Sequence, residues 1–370
     1  MSLIRLSKSC VGKEEKEALS RIIDAGYLGM GEEVKLFEQD IKSFLQTENE
    51  VICVNSGTAA LHLALQALGI GRGDEVLVPS LTYVASFQAI SATGARPVAC
   101  DVSVNRGFID LADATKRITS KTKAIMPVHY GSNSDGMDDV YKFAIKNNLR
   151  VLEDAAHGFG CLRDGVPVGS KGDVICFSFD GIKNITSGEG GAVVTGDIAL
   201  AEKIKDLRLL GVEKDTEKRY SGERSWSFDV QDQGWRYHMS NLMAAIGRSQ
   251  LKKISDFGRH RRNCVNYYLK ELSQESGIEF FDFNYDANIP HIFPIRILNN
   301  ERDKLMQALK EDGIESGIHY MPNHFLRYFK PEYNLPNIEM LSQEILSLPL
   351  HASLTKEEQD RVIAVIRKFF

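Results

Sequence analysis

Lys183 lies in a short stretch of the chain whose residue types suit covalent chemistry. Ser178 precedes it, and the glycine-rich turn at residues 188–191 follows it. A lysine in an ordinary loop is usually only solvated, but an amine that is partly removed from water is a nucleophile that forms an imine with a carbonyl group. The neighbouring serine hydroxyl is suited to bind a phosphate. We therefore identify Lys183 as the candidate covalent residue.

A second segment, residues 55–61 (Asn-Ser-Gly-Thr-Ala-Ala-Leu), stands between an apolar run and a helical pattern. The first amides of a helix have no partners within it, and together with the positive end of the helix dipole they bind anions. Gly57, which precedes Thr58, lets a phosphate approach the backbone closely. A plain Ser or Thr helix cap is the alternative interpretation. The position directly after a strand favours the phosphate site.

A third segment, residues 153–157 (Glu-Asp-Ala-Ala-His), also follows an apolar run. An isolated aspartate at such a place usually caps a loop. A pyridine ring, however, needs a carboxylate at its nitrogen to stay protonated, and that charge makes the ring an electron sink for a carbanion. Asp154 suits this role, and His157 is close enough to reach a ring oxygen or to stack on the ring.

The elements that position these residues form an alternating pattern between residues 51 and 210. Short apolar runs alternate with segments of helical period, such as residues 58–68, which is typical of βαβ units and a mainly parallel sheet. The carboxyl ends of parallel strands meet at one edge of a sheet, so we expect the three polar segments to converge there. Candidate strands lie at residues 51–54, 75–78, 97–100, 124–128, 150–153, 174–177 and 192–195.

The pattern changes in the last third of the chain and predicts a second, smaller α/β domain. It contains a long charged helix at residues 257–272 and short strands near 278–281 and 292–297. We expect an N-terminal segment (1–25), a large domain (26–250) and a small C-terminal domain (251–370). The loop 213–232, which contains Trp226 and Phe228, is the best candidate for a mobile or partner-contacting segment.

Composition excludes several other classes of protein. The 45 Lys and Arg nearly balance the 50 Asp and Glu, and the net charge of -5 argues against a general nucleic-acid or acidic-membrane binder. The six cysteines are scattered without a CxxC pair, so neither a metal cage nor a disulfide framework is expected. No signal peptide or membrane-spanning stretch is visible, and we expect a cytoplasmic protein.

Motifs over almost the whole chain resemble the DegT/DnrJ/EryC1/StrS family. These are sugar aminotransferases that use pyridoxal 5'-phosphate (PLP) and have the aspartate aminotransferase fold, PLP-dependent transferase fold type I. The resemblance implies a large domain with a mainly parallel seven-stranded sheet between helices, plus the smaller C-terminal α/β domain. The matching segments are residues 26–28 with 31, 56–61, 79–85, 127–131, 153–157, 178–179 with 183 and 188–191, 239–240 with 244–247 and 250–251, and 348–351.

The resemblance also implies roles for individual residues. Lys183 carries the cofactor, and Asp154 meets the pyridine nitrogen. The other expected contacts are ring stacking by Tyr83 and phosphate binding by Gly57, Thr58 and Ser178.

Two positions depart from the family pattern. His157 stands where many relatives have glutamine, so its contact with the ring hydroxyl is an open expectation. Arg236 stands where relatives often have an asparagine that reaches the cofactor phosphate of the neighbouring subunit. Arg236 either does the same as a charged donor or points at the nucleotide-sugar phosphates.

The function implied is transfer of an amino group from L-glutamate to a nucleotide-linked keto-sugar. The resemblance is greatest to enzymes of 4-keto-6-deoxy sugars, with dTDP-4-keto-6-deoxyglucose as the first candidate, and such amino sugars occur in lipopolysaccharide O-antigen. A 3-keto substrate or a non-catalytic PLP-binding regulatory protein are the alternatives. A dehydrating branch of the family carries histidine at the position of Lys183, which argues against dehydration.

The remaining expectations concern histidines and oligomeric state. By analogy with relatives, His319, Tyr320 and His324 are candidates for contact with the sugar. A homodimer with shared active sites is implied by the resemblance. The other histidines are dispersed without ligand spacing and are expected at core or surface positions: His62, His129, His260 and His291.

Overall fold

A seven-stranded sheet forms the centre of the protein, seen in a computed structural model that describes residues 2–370. The strands are β1 (Glu50–Val54), β2 (Glu75–Pro79), β3 (Arg96–Cys100), β4 (Thr122–Ile125), β5 (Arg150–Asp154), β6 (Leu162–Arg163), β7 (Val166–Pro167), β8 (Val174–Ser178), β9 (Gly191–Thr195), β10 (Ile278–Phe280), β11 (Phe293–Ile297) and β12 (Ile345–Leu348). The helices are α1 (Lys13–Asp24), α2 (Glu32–Leu45), α3 (Gly57–Ala67), α4 (Val84–Ala92), α5 (Leu111–Arg117), α6 (Met137–Asn147), α7 (Ile198–Leu207), α8 (Asp215–Tyr220), α9 (Asn241–Leu251), α10 (Ile254–Leu272), α11 (Arg302–Glu311), α12 (Pro336–Glu344) and α13 (Lys356–Phe369).

The strand order of the large sheet is β1-β9-β8-β5-β4-β2-β3. Strands β8, β5, β4, β2 and β3 run parallel, whereas β9 is antiparallel to both of its neighbours. The reversal follows from the connection, because residues 179–190 join β8 to β9 without a crossover helix, and only an antiparallel partner is reached that way. The expected mainly parallel seven-stranded sheet is confirmed.

Apolar helices cover the sheet and fix the direction of the chain at its carboxyl edge. In α3, eight of the eleven residues are buried, and all of these except His62 are Ala or Leu. The side chain of Ser56 caps α3 by accepting a hydrogen bond from the amide of Ala59 (3.1 Å). The phosphate-site candidates Gly57 and Thr58 therefore lie in the first turn of a helix that is anchored in the core.

A second sheet, with strand order β10-β11-β12, lies in the C-terminal part of the chain. The N-terminus joins this part: Ile4 pairs with Ile314, and the amide of Leu350 donates to the carbonyl of Leu6 (3.0 Å). The domain boundaries expected at residues 25 and 250 stay predictions. Within residues 2–370, we find no helix that combines the length and the apolar character needed to cross a bilayer.

The segment 213–232, expected as a loop, contains the short helix α8. Asp215 accepts a hydrogen bond from the side chain of Arg219, one turn later, and this pair stabilises the helix. After α8 the chain is irregular and exposes Trp226 (90% exposed) and Phe228 (60% exposed). Its role as a mobile or partner-contacting segment stays a prediction.

Candidate active site

A cavity of about 460 Å³ opens at the carboxyl ends of β5 and β8, beside the start of α3. It receives residues from the large sheet and from the C-terminal part of the chain. The expected site residues that line it are Gly57, Thr58, Tyr83, Asp154, His157, Ser178, Lys183, His319 and Tyr320. The three polar segments identified in the sequence therefore converge, as their positions after strands predict.

One wall of the cavity is an anion cradle made by α3 and β8. Gly57 packs so closely on Ser178 that a Cβ atom at residue 57 would lie 2.8 Å from the Cβ of Ser178. Only glycine fits there without displacing the serine. The first amides of α3, at Gly57 and Thr58, have no partner within the helix and carry its positive dipole end. Together with the Ser178 hydroxyl, they form a place for a phosphate group.

Asp154 provides a carboxylate whose two oxygens are held in place. Its side chain lies at the end of β5 and the residue is 4% exposed. Oδ2 accepts a hydrogen bond from the hydroxyl of Ser86 (2.6 Å), and Oδ1 accepts one from the amide of Ala156 (3.2 Å). Ser86 is itself buried and lies 2.7 Å from the hydroxyl of Thr82. The carboxylate is thus oriented before any ligand binds.

Lys183 lies in the loop between β8 and β9, with its amine in the cavity. Burial lowers the pKa of this amine from its ordinary value of 10.5 to about 8, against the opposing effect of the negative charges of Asp154 and Asp180. The Nζ atom lies 3.4 Å from Nε2 of His291. A lysine in this state is partly neutral near physiological pH, as a nucleophile and proton carrier needs.

His157 and Tyr320 form a pair across the cavity. Nε2 of His157 lies 3.0 Å from the hydroxyl of Tyr320, and the Tyr320 ring lies 5.7 Å from that of Tyr83. Burial, followed by the charge of Lys183, holds the pKa of His157 well below its usual range. His157 is therefore neutral at pH 7, with one ring nitrogen able to donate and the other able to accept. Tyr83 is 60% exposed and stands at the cavity mouth.

His319 enters the cavity wall from the C-terminal part of the chain. Its Nδ1 lies 2.8 Å from the hydroxyl of Ser347 in β12, and burial lowers its pKa to about 4. The backbone carbonyl of His319 accepts a hydrogen bond from Tyr130. These contacts fix a neutral imidazole at the edge of the cavity, in keeping with its candidate role near the sugar.

Two of the expected site residues are not brought to the cavity. The exposed Arg236 borders a separate pocket of about 120 Å³, together with Arg219 and His238. Its two expected roles, a contact with the cofactor phosphate across a subunit interface or with the nucleotide-sugar phosphates, stay predictions. His324 is 4% exposed and lies between the hydroxyl of Ser80 (2.7 Å) and the carboxylate of Glu339 (3.5 Å).

This geometry argues against a sugar contact at His324, and that contact stays a prediction. Nδ1 of His324 contacts the Ser80 hydroxyl within the core. Together with the contact to Glu339, this links the chain after β2 to α12. The resemblance at residues 319–324 does not distinguish His319, which lines the cavity, from His324, which lies behind the cavity wall.

Two contacts at the site are not indicated by the sequence. His291 was expected to be an ordinary core or surface residue; it is buried, but it contacts Lys183. Ser86 was not singled out, although it binds Asp154. A local signal existed only for Ser86, which follows the matched segment 79–85 and opens a helix. The cavity is also lined by the carboxylates of Asp180 and Glu189.

Taken together, the residues fit a phosphorylated pyridine aldehyde such as PLP. The anion cradle matches its phosphate, the oriented Asp154 carboxylate matches its ring nitrogen, and Lys183 is an amine for its aldehyde. Among residues 2–370, no group of three or more His, Cys, Asp or Glu side chains is arranged to hold a metal ion.

Comparison with known proteins supports this chemistry. A family model for the DegT/DnrJ/EryC1/StrS aminotransferase family matches residues 9–367. The chain is 35% identical over 368 residues to the spore coat polysaccharide biosynthesis protein SpsC of Bacillus subtilis (strain 168), covering 96% of this chain and 94% of that protein.

Solved structures agree over the full length. The sugar aminotransferase CalS13 from Micromonospora echinospora superposes with a TM-score of 0.91 at 27% identity, covering 100% of each chain. The PLP form of Spr1654 from Streptococcus pneumoniae also gives a TM-score of 0.91 at 27% identity and covers 100% of each chain.

Proposed function

Because the chain belongs to the DegT/DnrJ/EryC1/StrS aminotransferase family, we propose that it transfers the amino group of L-glutamate to a nucleotide-linked 4-keto-6-deoxy sugar. The chain is a sugar aminotransferase that depends on PLP. The first candidate acceptor is dTDP-4-keto-6-deoxyglucose, and the product is then the 4-amino sugar. A 3-keto nucleotide sugar is the alternative acceptor. Membership in an aminotransferase family favours turnover over a regulatory role without catalysis.

The observation that carries the proposal is the placement of Lys183 between an anion cradle and a fixed carboxylate. Ser178 and Asp154 stand at the ends of neighbouring parallel strands, β8 and β5, and line the same cavity as the lysine amine. A cofactor held at its phosphate and at its ring nitrogen would span these two points. The lysine would then stand beside the reacting carbon.

PLP, when bound, supplies a protonated pyridine ring that accepts the electron pair of a substrate carbanion. Asp154 would hold the ring nitrogen of the cofactor, Gly57 and Ser178 would bind its phosphate, and Lys183 would be its covalent anchor. As a free amine, Nζ of Lys183 would act as the base that takes the proton from the Cα atom of glutamate. In the second half, the protonated Nζ would act as the acid that gives a proton to the sugar carbon that receives the amine.

The choice of a 4-keto sugar rests on two segments, residues 155–157 and 186–191, which resemble 4-keto enzymes more than 3-keto ones. SpsC is named for polysaccharide biosynthesis, and by analogy we infer an amino sugar destined for a surface polysaccharide such as lipopolysaccharide O-antigen. A cytoplasmic location and a homodimer with shared sites complete the proposal. The exposed apolar side chains of Trp226 and Phe228 suit burial in such an interface.

The proposal is tested with the purified protein and its Lys183→Ala variant. The wild type should bind PLP with a visible absorbance band that glutamate bleaches, with release of 2-oxoglutarate. Lys183→Ala should lose the band and the turnover, because no other cavity amine can replace it. Lys116→Ala, an exposed lysine in α5, is the matched control. Full turnover by Lys183→Ala would overturn the assignment.

The acceptor is identified separately. Protein loaded with the amino form of the cofactor is mixed with 3-keto and 4-keto nucleotide sugars, and mass spectrometry detects the aminated product. We expect the 4-keto-6-deoxy sugar to react fastest. Faster conversion of a 3-keto sugar would favour the alternative and leave the role of Lys183 unchanged.

A further inference from the structure

We propose that His291 is a positioning residue for Lys183, and that its Nε2 accepts a hydrogen bond from Nζ whenever the lysine is not attached to the cofactor. This proposal rests on the function proposed above for Lys183. The two atoms lie 3.4 Å apart. A released lysine is a flexible chain, and a fixed acceptor would keep its amine within reach of the reacting carbon.

The imidazole of His291 is held rigidly enough to serve as an anchor. The residue is 3% exposed. Its backbone amide donates to the hydroxyl of Ser132 (3.0 Å), and its carbonyl accepts from Nη1 of Arg261 (3.1 Å). Its ring packs on that of His157, with the ring centres 4.3 Å apart. The backbone of His291 is therefore fixed by hydrogen bonds, and its ring is held by packing against His157.

The lysine end of the pair is tied to the same segment. Asn184 directly follows Lys183, and its side-chain amide donates to the carbonyl of Ile289 (3.1 Å) and to that of Phe159 (3.0 Å). Ile289 lies two positions before His291 in the sequence. These bonds join the loop that carries the lysine to the segment that carries the histidine. The distance between Nζ and Nε2 is therefore set by two connected backbones.

The charges around the pair favour a neutral imidazole that faces a cationic amine. His291 faces Lys183, His157, Arg261 and His319, and burial together with these groups holds its pKa well below the usual range. A neutral ring with its proton on Nδ1 keeps a lone pair on Nε2 for the ammonium of Lys183. On its other side, the lysine faces Asp154 and Asp180. Within residues 2–370, His291 is the partner that lies at hydrogen-bonding distance from Nζ.

The proposed contact stabilises Lys183 after it has accepted a proton from the Cα atom of the donor. The ammonium that forms is in a buried place, where an unpaired charge is costly. A hydrogen bond to a charged group contributes more than one between neutral groups. Loss of the acceptor should therefore make Lys183 a weaker base and slow the proton transfer, without changing how glutamate binds.

The test compares His291→Leu, which removes the acceptor, with His291→Gln, whose amide oxygen can reach the position of Nε2. His291→Asn is the third variant, because it is polar but too short to reach Nζ. His260→Leu is the control, since His260 contacts the carbonyl of Leu354 instead of the cavity. The cofactor-free proteins are treated with formaldehyde and cyanoborohydride over a range of pH, and mass spectrometry follows methylation of Lys183.

Wild type should show a midpoint near pH 8 for Lys183 methylation. We expect His291→Leu and His291→Asn to move it down by about one pH unit, the size of one lost charged hydrogen bond. His291→Gln and His260→Leu should keep the wild-type midpoint. In the loaded protein, the Leu and Asn variants should bleach with glutamate about tenfold more slowly at unchanged KM.

An unchanged midpoint in His291→Asn would overturn the proposal, even if His291→Leu does not fold. Equal shifts in His291→Gln and His291→Asn would do the same, because they would show a packing role alone. The methylation measurement needs no sugar. A protein that shows the expected shift but aminates no keto-sugar would therefore contradict the proposed function and leave the lysine contact standing.

Discussion

Ser86 donates a 2.6 Å hydrogen bond to Oδ2 of Asp154, joining the first turn of α4, directly after the cavity mouth, to the end of β5. Both residues are buried, so the bond is shielded from water. The carboxylate that we propose for the pyridine nitrogen is in this way oriented by a residue that does not itself need to touch the ring. A group oriented in advance costs no reorganisation when the ligand arrives.

Replacement of Ser86 by alanine should therefore weaken cofactor binding. The change leaves a buried carboxylate oxygen without its donor, at a cost of about 1 to 3 kcal/mol in the free energy of unfolding. We expect a lower urea midpoint and a several-fold higher Kd for PLP, measured by absorbance titration. Ser91→Ala in the same helix is the control, because Ser91 bonds only the carbonyl of Gln88. Equal PLP affinity in both variants would contradict the orienting role.

Gly57→Ala should damage the phosphate cradle without harming the helix. Alanine is a better helix former than glycine by about 1 kcal/mol, but its Cβ would lie 2.8 Å from the Cβ of Ser178. We expect PLP affinity to fall about tenfold or more, where each 1.4 kcal/mol is one factor of ten. Gly71→Ala, whose Cβ would meet its nearest atom at 3.5 Å, is the control. Wild-type affinity in Gly57→Ala would place the phosphate elsewhere.

Lys183→Met should stabilise the cofactor-free protein at pH 7. The pKa of Lys183 is about 8 in the folded state, against an ordinary value of 10.5, so the unfolded chain binds this proton more tightly. The resulting penalty is complete below pH 8, shrinks as the pH rises to 10.5 and is absent above it.

Removal of the amine should therefore raise the free energy of unfolding by about 1 to 3 kcal/mol at pH 7, and by progressively less toward pH 10.5. Urea unfolding at several pH values measures the difference between variant and wild type. Lys116→Met, at an exposed position in α5, should show no such trend. A pH-independent gain for Lys183→Met would mean that packing, and not charge, is responsible.

Arg236→Ala tests the shared site of the proposed homodimer. Arg236 does not line the cavity of its own chain, so it should act on the partner's cavity. We expect Arg236→Ala and Lys183→Ala to be inactive alone. Mixed and reassociated, they should regain roughly a quarter of the wild-type activity, because half of the dimers then carry one complete site. A mixture without activity would exclude the contact across the interface.

His324→Ala should lower stability and spare the sugar KM. The histidine is 4% exposed and its ring contacts the Ser80 hydroxyl, which keeps only the amide of residue 324 as a partner after the substitution, at a cost of about 1 kcal/mol. His319→Ala, at the cavity wall, should instead raise the KM for the sugar. Steady-state kinetics and urea unfolding of both variants separate the two roles. A raised sugar KM in His324→Ala with unchanged stability would reverse the assignment.

The convergence of Gly57, Asp154, Ser178 and Lys183 was predictable because each follows a strand of one sheet. Short apolar runs marked these strands, and every strand end in the structure lies within three residues of its predicted position. The apolar runs alone do not show which residues at the carboxyl edge of the sheet lie close together. It was the wound topology, in which parallel strands end on the same side, that made the prediction possible.

The contacts of His291 and Ser86 were not predictable in the same way. His291 lies 108 positions after Lys183, and Ser86 lies 68 positions before Asp154. Neither pair shares a helical turn or a strand ladder, so no periodicity connects them. Their meeting depends on how the C-terminal part and α4 pack on the sheet, which is decided by many apolar contacts at once. For the same reason, the residues that surround Arg236 and His324 could not be predicted from the sequence, and the roles of both rested on the family resemblance alone.

The antiparallel pairing of Ser178 with Gly191 has a consequence for how this protein can vary in length. The loop between them is pinned at both ends, and a slip of one residue would turn Ser178 to the opposite face of the sheet. The number of residues between Ser178 and Lys183 therefore fixes the position of the lysine. An insertion between them would move the amine out of the cavity. Beyond the lysine, Gly188 is exposed with open space around it. On that side of Lys183, an insertion should therefore be tolerated at Gly188, whereas residues 184–187 are buried and Glu189 lines the cavity.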